Sequence, residues 1–233
     1  MSWDIIALDW NIDKDKLRSW YLEVERQSEH LWFNFTKLDL LKDELQPKEI
    51  LESEGVAMGK DWTDPGATNL IKYEITQVLK YGATIDQIQL MWPIEREVPL
   101  PQKWAAREEL YPELGGSATY KVQKKFMFGY FKELMEKYGH FFYEASIIKH
   151  HPGARIAKHI DGPKVEGFPR VRLHIPIITS VESFFCYGED FERQYILEPG
   201  KAYLINSSVS HGTLNGASTR IHLQGKVEYK DII

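Results

Sequence analysis

The sequence lacks the features that mark secreted and membrane-spanning proteins. It has a single cysteine, Cys186, so no intrachain disulfide can form, which favours a reducing compartment. No stretch approaches the ~18 consecutive apolar residues of a transmembrane helix. Segment 1–9 has no basic region and is interrupted by acidic residues, so it is not expected to act as a secretion signal. These absences predict a cytoplasmic protein with no membrane partner.

An excess of basic residues is also missing. The 29 Lys and Arg residues are outnumbered by 34 Asp and Glu residues, which gives a formal net charge of −5. Proteins that bind nucleic acid usually need a basic face, so no nucleic-acid partner is expected. The 233 residues are 43% hydrophobic, enough for the core of one folded unit.

Apolar residues at three- and four-residue spacing dominate the first part of the chain. This spacing predicts helices over 13–27, 40–54, 68–81 and 119–138, with a short strand over 88–92. The helix over 119–138 is followed by Gly139, a suitable residue just past a helix C terminus. Residues 1–140 are therefore predicted to be a helix-rich region that packs on the core and shapes a substrate pocket.

The pattern changes to short β-rich runs from residue 141 onward. The runs cover 141–149, 154–160, 171–179, 183–187, 194–197, 202–205 and 220–229, with turn residues between them. Short strands at this spacing indicate a sandwich or a barrel. A jelly roll, or double-stranded β-helix, fits best because it commonly carries a metal at one open end. The predicted fold class is thus α+β and mainly β, with a jelly-roll core over 141–233 that forms one unit with region 1–140.

His159 and Asp161 are the first candidate functional residues. Residues two apart on a strand share a face, so the imidazole and the carboxylate would project together. His211 would add a third ligand from a distant strand. Two histidines and one carboxylate suit iron(II) and leave three positions of an octahedral ion open. The competing interpretation is that segment 161–163 is only a turn, since Asp, Gly and Pro favour turns.

Two β-runs also place charge-capable side chains on one face. Arg172 and His174 alternate with apolar residues in one run, and Arg220, His222 and Gln224 do so in the last run. Such groups are costly to bury unless they are paired. An arginine facing a cavity suits a carboxylate, because its planar fork donates two hydrogen bonds. Taken singly, each arginine would more often belong to a surface ion pair.

Taken together, these motifs resemble a known family. Residues 141–229 resemble the Fe(II)- and 2-oxoglutarate-dependent oxygenases of the aspartyl/asparaginyl β-hydroxylase type, a group that includes free-proline hydroxylases. The matching pieces are, in chain order, the turn 151–153, the pair His159 and Asp161, segment 170–176, the turn 199–200, His211 with Asn215 after it, and segment 220–223. Some aspartyl-type relatives have glycine where this chain has Asp161, so the chain is similar to members with a full ligand triad.

The resemblance implies a role for each matched residue. His159, Asp161 and His211 would hold Fe(II), Arg220 would bind the distal carboxylate of 2-oxoglutarate, and Arg172 with His174 would contact this co-substrate. The implied reaction uses O2 to hydroxylate an unactivated C–H bond of an amino acid, free or within a peptide, and releases succinate and CO2.

Other interpretations remain open at this stage. A jelly-roll metal isomerase or hydrolase would use the same ligands but has no need of Arg220, and a non-catalytic binding module would take up no metal. His150 and His151 face opposite ways on a strand, so neither is predicted to be a metal ligand. Asn215 is either a ligand contact or a turn residue, and Cys186 is expected to be a buried small hydrophobe. The sequence does not specify the substrate or the oligomeric state.

Overall fold

The computed structural model describes residues 3–27, 33–34, 85–93, 120–122, 124–161, 168–188 and 190–233. The helices in these ranges are α1 (Lys14–Gln27), α2 (Gly129–Tyr138) and α3 (Tyr229–Ile232). The early strands are β1 (Ile5–Leu8), β2 (Phe33–Asn34), β3 (Ile85–Gln89), β4 (Met91–Pro93) and β5 (Tyr120–Val122). The later strands are β6 (Glu144–His150), β7 (Arg155–His159), β8 (Val171–Ile178), β9 (Phe184–Tyr187), β10 (Arg193–Tyr195), β11 (Ala202–Asn206), β12 (His211–Leu214) and β13 (Arg220–Val227).

Strands β6 to β13 form two antiparallel sheets. The larger sheet contains the order β11-β8-β13-β6, and the smaller sheet has the order β10-β9-β12-β7. The chain therefore passes back and forth between two sheets of four strands. This is the topology of a jelly roll, so the predicted fold class of the core is confirmed.

The larger sheet continues into the N-terminal region. Strand β1 pairs with β11 at one edge, β3 pairs with β6 at the other, and β2 pairs with β3. Strands from before residue 141 and strands of the jelly roll thus share one sheet. The predicted helices over 40–54 and 68–81 lie outside the described residues.

The main hydrophobic core lies between the larger sheet and helices α1 and α2. The apolar stripe predicted for α1 is buried, and it consists of Leu17, Trp20, Tyr21 and Val24. On α2 the ring of Phe131 stacks on Trp20 at 4.4 Å between centroids. The sheet contributes Leu173, Ile175 and Ile177 of β8 to the same core. Because side chains alternate along a strand, the other face of β8 is left for polar residues.

The predicted helix over 119–138 is wrong in its first half. Tyr120–Val122 is a strand paired with β4, and a 3-10 turn follows at Lys124–Phe126. Helix α2 begins only at Gly129, whose φ of +52° is a left-handed conformation that an α-helix cannot pass through. Val122 is apolar because it is buried in a strand, and it does not belong to the face of a helix. The helix ends at Tyr138 as predicted, but Gly139 keeps a right-handed φ of −61° and leads into a second 3-10 turn.

The remaining early predictions agree with the structure in part. Helix α1 matches the prediction over 13–27, and the predicted strand over 88–92 is interrupted at Leu90, between β3 and β4. Within the described residues, no helix combines the length and the apolar composition needed to cross a bilayer.

A matched pair of substitutions on α1 tests the packing of this helix. Leu17 is fully buried, whereas Leu22 is 49% exposed. We expect Leu17→Ala to lower the free energy of unfolding by roughly 2–5 kcal/mol, because it leaves a cavity in the core. Leu22→Ala is expected to change it by less than about 0.5 kcal/mol. Urea unfolding of both variants measures the difference, and equal effects would contradict the assigned helix face.

Candidate functional site

His159 and His211 are neighbours across two strands of the smaller sheet. His159 ends β7, His211 begins β12, and the two residues lie directly opposite each other in the antiparallel pair. Their ring centroids are 4.3 Å apart. Asp161 follows two residues after His159, and its backbone N–H donates to the carbonyl of Ser207 at 3.1 Å. One ligand atom from each of the three side chains lies within 4.8 Å of the others, so the structure brings the three predicted ligands together.

The ring of His211 is oriented by its own backbone. Its Nδ1 lies 2.9 Å from the carbonyl oxygen of Val209. A carbonyl only accepts hydrogen bonds, so Nδ1 must carry the hydrogen and Nε2 presents its lone pair. Burial lowers the pKa of His211, and the neighbouring His159 lowers it further. The ring is therefore neutral at neutral pH, the form that binds a metal.

The carboxyl group of Asp161 is held ionised by its neighbours. Its Oδ1 lies 3.3 Å from His159 Nε2, and its Oδ2 accepts a hydrogen bond from Arg172 Nε at 2.9 Å. Burial acts to raise the pKa of this carboxyl. The hydrogen bond from His159 and the charge and hydrogen bond of Arg172 outweigh burial and hold the pKa well below its usual range.

Two imidazoles and one carboxylate fit a divalent ion such as Fe(II) or Mn(II). The thiol of Cys186 is not part of this set. Cys186 is fully buried, as predicted, and burial raises the pKa of its thiol to about 11.

Arg172 and His174 lie on the face of β8 that points away from the helical core. Arg172 is partly buried and reaches Asp161, as described above. His174 is more deeply buried and meets the ring of Phe185, on β9 of the smaller sheet, edge-on at 4.8 Å. His174 therefore lies between the two sheets.

Arg220 is a buried cation without a carboxylate partner. Its side chain is 2% exposed, its Nε donates to His222 Nε2 at 3.1 Å, and its guanidinium lies 4.7 Å from the centroid of the Phe185 ring. Nη1 makes only a long contact of 3.4 Å with the carbonyl of Phe184. Burial lowers the pKa of Arg220 to about 9, so it remains charged at neutral pH. No Asp or Glu among the described residues pairs with it, and a buried unpaired charge is strongly destabilising. The surroundings of Arg220 therefore favour an anionic ligand.

Two further histidines adjoin Arg220. His222 connects it to His174, whose Nδ1 lies 3.3 Å from His222 Nδ1. His150 lies directly opposite Arg220 in the β6–β13 pair. The alternation in the last strand indicated that His222 shares the Arg220 face. Nothing in the sequence placed His150 there, because its position depends on the register between two distant strands.

The side chain of Asn215 holds the local backbone, and the side chain of His151 contacts strand β3. The side-chain amide of Asn215 donates to the carbonyls of His151 and Ser218, both at 2.8 Å, and its Oδ1 accepts from Ser183 at 2.7 Å. His151 Nε2 lies 2.6 Å from the carboxylate of Asp86. These contacts support the turn interpretation of Asn215 and occupy His151 outside the triad.

Comparison with known proteins gives no family assignment. The sequence matches no protein-family model and no curated protein. A prolyl-4-hydroxylase from Pseudomonas putida is 12% identical and covers 97% of this chain and 92% of its own, with a TM-score of 0.42. The viral collagen prolyl hydroxylase of Paramecium Bursaria Chlorella virus-1, in its 2OG complex, is 14% identical over 74% of this chain and 98% of its own, with a TM-score of 0.34. A cupin domain from Bordetella pertussis is 13% identical over 36% of this chain and 80% of its own, with a TM-score of 0.29. All three TM-scores lie below 0.5.

The triad predicts one divalent metal site per chain. We expect Asp161→Ala and His211→Ala each to abolish stoichiometric binding of Mn(II) or Fe(II), because each removes one of three ligands. His140→Ala serves as the control, since His140 is an exposed histidine on the surface. Elemental analysis after metal loading measures the stoichiometry. Full metal content in both triad variants would rule out this site.

The buried histidines predict a loss of stability in mild acid. Burial, together with the charge of Arg220, holds the pKa values of His150, His174 and His222 well below the usual 6.5. In the unfolded chain these groups take up protons below about pH 6.5, so the free energy of unfolding falls there by up to ~1.4 kcal/mol per group and pH unit. Asp161, whose pKa is lowered, affects stability only below about pH 4.

Urea unfolding of the metal-free protein from about pH 7.5 to about pH 5.5 tests this sign, since only the histidines titrate in that window. A free energy of unfolding that stays constant or rises towards pH 5.5 would contradict the burial of neutral histidines.

Proposed function

We propose that the protein is an Fe(II)- and 2-oxoglutarate-dependent dioxygenase that hydroxylates an unactivated C–H bond of an amino acid, free or within a peptide. The observation that carries the proposal is the buried Arg220, which has no carboxylate partner among the described residues and lies inside the jelly roll that also holds the triad. A metal centre alone also suits a hydrolase or an isomerase. The buried guanidinium of Arg220 in the same interior suits a ligand with a carboxylate at its far end.

The residues are suited to the groups they would hold. His159, Asp161 and His211 would bind Fe(II) and leave open positions for the co-substrate and for O2. When bound, the iron supplies the oxidation chemistry, in which 2-oxoglutarate becomes succinate and CO2 and a hydroxyl group is added to the substrate. Arg220 would neutralise the distal carboxylate of 2-oxoglutarate.

The surrounding side chains orient the metal ligands and contribute charge to the site. Arg172 fixes Asp161 through Oδ2, which leaves Oδ1 on the side of His159. His174 shares a strand face with Arg172, which contacts Asp161, and it lies 3.3 Å from His222, which accepts a hydrogen bond from Arg220. We propose that Arg172 and His174 contact the co-substrate between the metal centre and Arg220. The burial of His174 and Arg220 keeps water away from this region, which strengthens each charge interaction.

The amino-acid class of substrate is supported by the motif resemblance in segment 141–229. The two competing functions explain less of the site. A metal isomerase or hydrolase gives no role to the unpaired Arg220. A non-catalytic binding module gives no role to three ligand atoms that lie within 4.8 Å of one another.

Product analysis tests the proposal. We expect the Fe(II)-loaded protein to form succinate from 2-oxoglutarate under air, with an increase when the right amino acid or peptide from a screen is added. His159→Ala is expected to abolish succinate formation, because it removes a metal ligand, and His140→Ala is expected to leave it unchanged. Succinate formation that persists in His159→Ala, or is absent from the loaded wild type with every substrate tested, would overturn the proposed function.

A further inference from the structure

Two buried polar atoms near Arg220 lack hydrogen-bond partners. Within the described residues, the buried side-chain atoms without a partner are Asp86 Oδ1, His150 Nδ1 and Thr213 Oγ1. Asp86 lies on β3, and its other carboxylate oxygen contacts His151. Of the other two residues, His150 lies directly opposite Arg220 in the β6–β13 pair, and Thr213 lies opposite Phe185, whose ring lies against the Arg220 guanidinium.

His150 is the cross-strand neighbour of Arg220. Residues directly opposite each other in an antiparallel pair project to the same face, and His150 and Arg220 form such a pair between β6 and β13. The side chain of His150 is 3% exposed, and the ring is neutral at neutral pH because burial and the charge of Arg220 lower its pKa. A neutral imidazole carries one N–H donor, so His150 can donate one hydrogen bond to an anion beside Arg220.

Thr213 approaches the same place from the smaller sheet. It lies opposite Phe185 in the β12–β9 pair, and the ring of Phe185 lies against the guanidinium of Arg220. Thr213 is 2% exposed and stands two residues after His211 on β12. One strand thus presents a predicted metal ligand and, on the same face, a hydroxyl group whose cross-strand neighbour, Phe185, contacts Arg220.

The energetics of these atoms indicate a missing ligand. A buried hydroxyl or ring N–H without a partner is destabilising, and valine would fill the space of Thr213 without that cost. Two such atoms next to an unpaired buried cation share one explanation, which is an anion with several acceptor positions. A carboxylate has two oxygens with about four lone-pair sites, so it can accept from a guanidinium, a hydroxyl and an imidazole together.

We infer that His150 and Thr213 join Arg220 in binding the distal carboxylate of 2-oxoglutarate, each donating one hydrogen bond to a carboxylate oxygen. This inference rests on the proposed function and adds two binding residues to it. It also makes the pocket selective for 2-oxo acids that carry a second carboxylate.

Calorimetric titration of the full chain loaded with Mn(II), which supports binding without turnover, tests the inference. The two probes are 2-oxoglutarate and 2-oxobutanoate, which has the same 2-oxo acid head but no distal carboxylate. Thr213→Val and His150→Leu are each expected to weaken binding of 2-oxoglutarate by roughly tenfold to a hundredfold, as for the loss of a hydrogen bond to a charged group. Binding of 2-oxobutanoate is expected to stay within about twofold of wild type.

Matched variants separate hydrogen bonding from altered packing. Thr213→Ser and His150→Gln keep a donor and are expected to recover most of the affinity for 2-oxoglutarate. Thr219→Val makes the same change at the residue that directly precedes Arg220. Because adjacent residues of an extended chain project to opposite sides, this variant is expected to bind both probes like wild type. Without any 2-oxo acid, Thr213→Val is expected to melt at the same temperature as wild type or higher, because it removes an unpaired hydroxyl.

The outcomes distinguish this inference from the proposed function. If wild type binds 2-oxoglutarate and both Thr213→Val and His150→Leu bind it equally well, the inference fails and the proposed function stands. Equal weakening for both probes would show a general distortion of the pocket and would also overturn the inference. A lower melting temperature of ligand-free Thr213→Val would show that the Thr213 hydroxyl already hydrogen-bonds to water. That result would also overturn the inference. If wild type does not bind 2-oxoglutarate, the proposed function itself fails.

Discussion

The constraint on which the site depends is the burial of the Arg220 guanidinium between two sheets without a counter-ion among the described residues. A charge in this position needs compensation, and in the part of the chain that the structure describes it contacts only neutral groups: the ring of His222, the face of Phe185 and a backbone carbonyl. The same charge contributes to keeping the neighbouring histidines neutral, since it lowers their pKa values in addition to burial. The interior of the jelly roll therefore favours the binding of an anionic ligand.

The two faces of the larger sheet carry different kinds of residue, and this difference makes the polar interior possible. On β8, Leu173 and Ile175 face helices α1 and α2 and form the apolar core, while Arg172 and His174 face the smaller sheet. Folding is thus driven mainly by burial on the helical side. The side that faces the smaller sheet carries polar groups beside a smaller apolar cluster, which consists of Phe185, Tyr187, Leu197, Tyr203 and Ile205.

The part of the site that could be predicted from sequence is the part set by local geometry or by motif. The strand period of two placed His159 with Asp161 and Arg172 with His174. The donor types pointed to His211 and Arg220, and the motif resemblance gave these two residues their roles. The positions of His150 and Thr213 could not be predicted because they depend on the pairing of distant strands, which sets His150 opposite Arg220 and Thr213 opposite Phe185. The jelly roll was predictable from the spacing of strands and turns. The error over 119–138 arose because apolar spacing alone does not distinguish a buried strand from a helix, and Gly129 was not taken as a break.

A crystal structure of the protein with Mn(II) and 2-oxoglutarate, grown without oxygen, tests the central claim most directly. The account predicts one metal ion bound by His159, Asp161 and His211, and the distal carboxylate of 2-oxoglutarate against the guanidinium of Arg220. A metal bound by other residues, or a 2-oxoglutarate whose distal carboxylate lies away from Arg220, would contradict it.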